Sequence, residues 1–260
     1  MSRRWVGVSI RTAARRVLAE RGGLLVALGF YVLVVAVLGG LWRVAAAANG
    51  GSVAGYSAVA LTWYIATSEA ATVSLDIRMI DVIGRDVASG AVAAELLRPA
   101  PVLGVRVATE VGRALPRLGA CVLAGGVVAT ITAGGPPRPA ALALAVPSLV
   151  LAITCNIVAQ HAFAAASFWV RDAGSAWFLY QKLIFVLGGM LIPLEALPRW
   201  LSGVASVLPF RAMAYTPARL ASGHLETVLV LEQVGWLAVL LVTANAVFAA
   251  GERRLQVVGG

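Results

Sequence analysis

Residues 76–117 read DIRMIDVIGRDVASGAVAAELLRPAPVLGVRVATEVGRALPR, the one polar interval in an otherwise oily chain. It holds five acids (Asp76, Asp81, Asp86, Glu95, Glu110) and six arginines (Arg78, Arg85, Arg98, Arg106, Arg113, Arg117). Apolar runs long enough to be membrane spans flank it, two before and four after. Hydrocarbon offers no partners for charges at this density, so the interval must lie in water on one side of a bilayer. The rest of the 260 residues agrees: 60% are hydrophobic, only 13% are charged, and the mean hydropathy is +0.88. A soluble domain carries about 25% charged residues. The net charge of +9 does not mark a nucleic-acid binder, because the arginines gather at the ends of apolar runs and not on one soluble face.

Before the interval, residues 1–21 are basic and amphipathic. Val6, Ile10, Ala13 and Val17 recur at helical spacing, with Arg4, Arg11 and Arg15 on the other side. Such a helix lies along the inner leaflet with its arginines at anionic headgroups. The first span, about Gly23 to Arg43, has an apolar core longer than the ~7–15 residues of a signal peptide, so it reads as an uncleaved helix. The second runs from about Val53 to Leu75.

After the interval, the third span starts between Val107 and Leu118 and ends at the Gly134–Pro137 turn. The fourth is Ala140 to about Val170, the fifth about Ala176 to Leu194, and the sixth about Gln233 to Ala250. The expectation is an all-α polytopic membrane protein with six spans in one permease domain covering 1–260. Within it, 1–21 is an interfacial helix, 76–117 a cytoplasmic segment and 195–223 an outer re-entrant region. With the N-terminus inside, fifteen arginines fall on the inner face and five on the outer. That bias places both termini and the polar interval in the cytoplasm.

The chemistry is sparse. No GxxxxGK[ST] occurs, and the single lysine, Lys182, follows no glycine loop, so this chain has no P-loop. His161 and His224 lack ligand-spaced partners, and Cys121 and Cys155 sit in apolar runs as small core residues. Nothing marks an enzyme, a metal site or a cofactor. Asn156, Gln160 and His161 on the fourth span read as interhelical hydrogen-bonders.

Two motifs carry information. Asp86-Val87-Ala88-Ser89-Gly90 leads through an apolar stretch to Glu95-Leu96-Leu97-Arg98-Pro99, a capped and proline-terminated short helix. Gly188-Gly189, Ile192-Pro193-Leu194, Pro198-Arg199-Trp200-Leu201 and Leu208-Pro209-Phe210 break a helix repeatedly without becoming hydrophilic. They describe short helices dipping into the outer leaflet, with Trp200 and Tyr215 at interfacial depth. Both motifs, in this order, resemble the permease subunits of ABC-2-type transporters over essentially the whole chain, although Val87-Ala88-Ser89 stands where the family pattern carries more charge.

The resemblance implies an inner-membrane permease that pairs with a second, identical or sister permease and with two separate ATPase subunits holding ATP and magnesium. It implies that residues 85–98 contain the coupling helix, with Arg85, Asp86, Ser89, Glu95 and Arg98 facing the ATPase. The second and fifth spans would line the route through Trp63, Tyr64, Thr67, Glu69, Phe178, Gln181, Lys182 and Phe185. Ile192, Pro193, Pro198, Trp200, Pro209 and Phe210 would form the outer gate, and the cargo would be a drug, antibiotic, lipid or other hydrophobic compound moved outward.

Glu69 and Lys182 stand at equal depth, each about 9 Å above the inner boundary at 1.5 Å per residue. They either pair, within or across protomers, or snorkel separately to headgroups. Two other functions fit the same composition: an ion-coupled secondary transporter using Glu69, although no internal repeat supports it, and a non-transporting membrane scaffold.

Overall fold

The computed structural model describes residues 4–76, 78–89, 101–165, 169 and 173–258; Glu95 and Arg98 lie outside them. Ten helices occur among the described residues. These are α1 (Arg4–Ala19), α2 (Arg21–Ala48), α3 (Ala58–Val73), α4 (Met79–Ala88), α5 (Val102–Ala133), α6 (Pro139–Ala165), α7 (Ala173–Leu187), α8 (Arg199–Ser206), α9 (Tyr215–Ala221) and α10 (Thr227–Val258). A two-stranded antiparallel hairpin, β1 (Ser52–Val53) and β2 (Tyr56–Ser57), joins α2 to α3.

Among the described residues, four helices are long and apolar enough to cross a membrane: α2, α5, α6 and α10 over Thr227–Gly251. Where a second and a fifth span were expected, α3 has 16 residues and α7 has 15. At 1.5 Å per residue each is about 24 Å or less, short of a ~30 Å hydrocarbon core. The chain itself shortens them. The strands Ser52–Val53 and Tyr56–Ser57 use up the expected start of the second span, and the Ser57 side chain caps α3 by accepting from the Ala60 amide at 3.2 Å. The fifth stops at Leu187, seven residues earlier than the periodicity suggested. Gly189 adopts φ +62°, which ends the helix in a conformation that favours glycine.

Elsewhere the helices outrun their apolar cores. α5 already begins at Val102 and continues through Pro116, so the second half of the polar interval is continuous with the third span. α10 begins at Thr227, which puts Gln233 inside the helix and buried.

α3 is the axle of the protein. Every residue from Ala60 to Ala71 is buried, because α2, α5, α6 and α9 pack around it. Apart from Glu69, its buried polar side chains are satisfied locally or by neighbours, as a low-dielectric interior demands. Thr62 and Thr67 donate to carbonyls one turn back, Ser68 donates to the Met190 carbonyl at 2.8 Å, and the Tyr64 hydroxyl donates to the Gly189 carbonyl. From α2, Tyr31 donates to the Ala66 carbonyl at 2.7 Å.

α1 presents the expected face: Ala13 and Val17 are buried, while Arg4, Arg11 and Arg15 are exposed. It lies along α5, and the two backbones meet at Gly112. A Cβ there would stand 2.5 Å from the Ile10 carbonyl oxygen, so glycine is what permits the crossing.

Candidate functional site

The polar interval enters the fold as α4. Its apolar side, Met79, Ile80 and Ile83, is buried against α6 and α7, and its polar side faces out. Arg85 is exposed. Asp86 turns inward and accepts from Arg106 on α5 at 2.8 Å. Ser89 donates to the Asp86 carbonyl at 3.3 Å, closing the helix end. α4 is thus clamped to three helices: by an ion pair to α5 and by apolar contact to α6 and α7. Between α4, α5 and α6 lies a cavity of about 290 Å³, lined in part by Asp76, Glu110, Arg113 and His161. Glu110 is paired with Arg113 at 2.6 Å.

The expected route residues separate into two environments. Trp63, Tyr64, Thr67 and Glu69 are buried inside the protomer. Trp63 donates from Nε1 to the Gly134 carbonyl at 3.2 Å and, with Thr67, borders a small void of about 40 Å³. On α7, Phe178 and Lys182 face outward, and the Lys182 ammonium sits 5.0 Å from the Phe178 ring centre. Gln181 and Phe185 border a groove with Thr72 and Leu75 at the C-terminal end of α3. Glu69 and Lys182 form no ion pair among the described residues. Glu69 points into the core and Lys182 away from it. The Glu69 Oε1 has no hydrogen-bond partner among the described residues.

Behind α7 runs a buried hydrogen-bonded set. The Tyr180 hydroxyl donates to Asn156 Oδ1 at 2.6 Å, and Gln160 donates to the same oxygen at 2.9 Å. His161 does not join it: its Nδ1 pairs with the Ile157 carbonyl of its own helix at 2.8 Å.

At the opposite end, two 3₁₀ turns (Leu194–Ala196, Pro209–Ala212) and the helices α8 and α9 fill the proline-broken stretch. Pro193 and Phe210 are buried, and Phe210 packs edge-on against Tyr180 with ring centres 6.2 Å apart. Ile192, Pro198 and Trp200 are exposed, Trp200 at 71%, while Pro209 is half-buried.

Apart from Tyr215, the residues that organise this end were not singled out by the sequence. Glu195 Oε1 accepts from Tyr56 at 3.1 Å, from Tyr215 at 2.6 Å and from Arg219. Arg219 also donates to the Tyr56 hydroxyl and, through Nε and Nη2, to Glu226 at 3.1 and 2.9 Å. Burial opposes the charge on Arg219, but its hydrogen bond with Tyr56 and the nearby Glu195 carboxylate hold its pKa above the usual guanidinium value. Arg211 pairs with Glu232. Gln233 ties three elements together, accepting from Ser148 at 2.7 Å and donating to the Ala212 carbonyl at 2.8 Å. The signal available beforehand was negative: Glu195 and Gln233 are polar groups in apolar surroundings with no partner nearby in sequence.

The structure is thus a helical bundle with four membrane-length helices among the described residues, a polar helix docked against it and a proline-broken cap. The chain belongs to the ABC-2 family of transporter proteins, whose description matches residues 30–259. A search of curated proteins found no match. Membership makes this the membrane component of an ABC transporter, associated with an ABC ATPase subunit that performs the hydrolysis.

Proposed function

We propose that the protein is the permease of an ATP-driven exporter, working in the cytoplasmic membrane as a dimer of identical or sister permeases above two ATPase subunits. Its cargo is a hydrophobic compound such as a drug, antibiotic or lipid, and both termini are cytoplasmic. The observation that carries this reading is the clamp on α4. Through Asp86–Arg106 and through Ile80 and Ile83, any push on α4 is delivered at once to α5, α6 and α7.

Arg85 and Ser89 are the described positions from which an ATPase would push, and Glu95 and Arg98 belong to the same proposed surface. Repacking of α7 against α3 would alter the groove at Gln181 and Phe185 and, through Tyr180 and Phe210, the outer cap. Ile192, Pro193, Pro198, Trp200 and Pro209 then act as a re-entrant gate. Trp63, Tyr64, Thr67 and Glu69 respond from inside the protomer, while Phe178 and Lys182 face the second permease across the route.

The test is ATP-dependent transport by the permease–ATPase complex in proteoliposomes. Arg85→Glu should leave the complex assembled and abolish coupled transport; undiminished transport would contradict the reading. One observation favours a second reading, ion coupling at Glu69, whose Oε1 is buried without a partner among the described residues. Transport by the permease alone, driven by an ion gradient, would select it.

A further inference from the structure

We propose that the cleft between α1 and α5 is a binding site for the phosphate-bearing headgroup of an anionic phospholipid. The cleft has a volume of about 270 Å³, far above the ~10–15 Å³ of probe volume that admits one water. Arg16 and Arg113 border it from opposite helices, with Ser9, Thr12 and Thr109 between them, and no carboxylate lines it. On α1, Ser9, Thr12 and Arg16 fall at i, i+3 and i+7, one ladder down one face. Arg113 shares its side of α5 with Arg117, one turn further on.

The donors here are available. Among the described residues Arg16 has no acidic partner, and the Ser9 and Thr12 hydroxyls make no hydrogen bond. Arg113 gives Nη1 to Glu110 at 2.6 Å, while its side chain stays 42% exposed with further N–H groups to offer. Thr109 spends its proton on the Val105 carbonyl at 2.8 Å, so it shapes the wall and does not donate. Two guanidinium groups plus two free hydroxyls, held by helices whose backbones touch at Gly112, match a phosphate's acceptor oxygens.

Depth decides for a lipid over a free anion. Arg113 lies five residues before Leu118, where the apolar part of α5 begins, which is about 7–8 Å along the helix. That is the headgroup layer of a bilayer. Val8 and Leu18 on α1 are also more than half exposed, as suits side chains that reach acyl chains. A headgroup seated here would bridge α1 and α5 and hold the basic helix against the span that also carries Arg106. The site stands whether or not the protein is an exporter.

Delipidated full-length protein, titrated with phosphatidylglycerol or phosphatidylcholine and read by native mass spectrometry and thermal shift, tests this directly. Phosphatidylglycerol should be retained and should raise the melting temperature, and phosphatidylcholine should not. Arg16→Gln should weaken that retention about tenfold, the loss of one charge-assisted contact. Arg15→Gln, on the exposed side of α1, should leave it unchanged. Equal losses in the two variants, or equal retention of both lipids, would overturn the site. Protection by millimolar inorganic phosphate as strong as by phosphatidylglycerol would overturn the lipid and leave a soluble anion.

Discussion

The two ends of the molecule are built differently. At the cap, the ion pairs and hydrogen bonds join residues far apart in sequence: Arg219 reaches Tyr56, 163 positions away, and Tyr56 reaches Glu195 across 139. One carboxylate oxygen gathers Tyr56, Tyr215 and Arg219. Among the described residues the polar interval has two separate pairs, Asp86 with Arg106 across 20 positions and Glu110 with Arg113 across 3, and they border the 290 Å³ cavity. A network that closes long loops opposes unfolding and opening alike. Two separate pairs around a cavity leave room for a helix to shift. The cap is therefore the more densely cross-linked end and the polar interval the one with room to move, the asymmetry that the proposed push on α4 needs.

The comparison is broken most severely at Arg219. Arg219→Met leaves Glu195 and Glu226 without their cation in a half-buried site and should cost about 2–3 kcal/mol, below the full cost of breaking a buried pair because these groups keep partial contact with water. A melting temperature lowered by several degrees in detergent is the expected reading. Asp86→Ala removes a single ion pair at the polar interval and should cost about 1–2 kcal/mol of stability, less than the loss of a cation shared by two carboxylates, while stopping ATP-coupled transport in the assembled complex. If it destabilises as much as Arg219→Met, the two ends are not different in kind. Tyr64→Phe removes one buried bond, to the Gly189 carbonyl, and should cost about 1 kcal/mol.

The smallest effect is one of pH. Burial first, then the Arg219 charge, hold the His224 pKa below its ordinary value, outweighing the opposing carboxylates of Glu226 and Glu195. A histidine lowered on folding stabilises above the unfolded pKa of about 6.5 and loses that contribution as pH falls through it. The cap should thus loosen on acidification below about pH 6.5. His224→Gln should flatten that slope in a melting series across pH.

The sequence showed what depends on one helix and its solvent. The leader's stripe at Val6, Ile10, Ala13 and Val17 faces inward as its spacing required, and the proline-broken stretch is a set of short elements. It was silent wherever direction mattered more than depth. Counting along the chain puts Glu69 and Lys182 at one level, yet it says nothing of helix rotation, and Glu69 is buried while Lys182 is exposed. Span ends were misjudged where backbone conformation and not hydropathy ended the helix, as at Gly189 and the Ser52–Ser57 hairpin. The Arg219 cluster was invisible because its members are assembled from four distant segments, and no local pattern announces a partner 163 residues away.

The central claim is that α4 is the inner handle gripped by an ATPase while the proline-broken cap faces outside. Single cysteines at Arg85 and Trp200, both exposed, test it against a quiet background because Cys121 and Cys155 are buried. In cells the account predicts that Arg85→Cys cross-links to the ATPase subunit and resists a membrane-impermeant thiol reagent, while Trp200→Cys is labelled from outside and forms no such cross-link. Labelling of position 85 from outside, or capture of the ATPase by position 200, would contradict it.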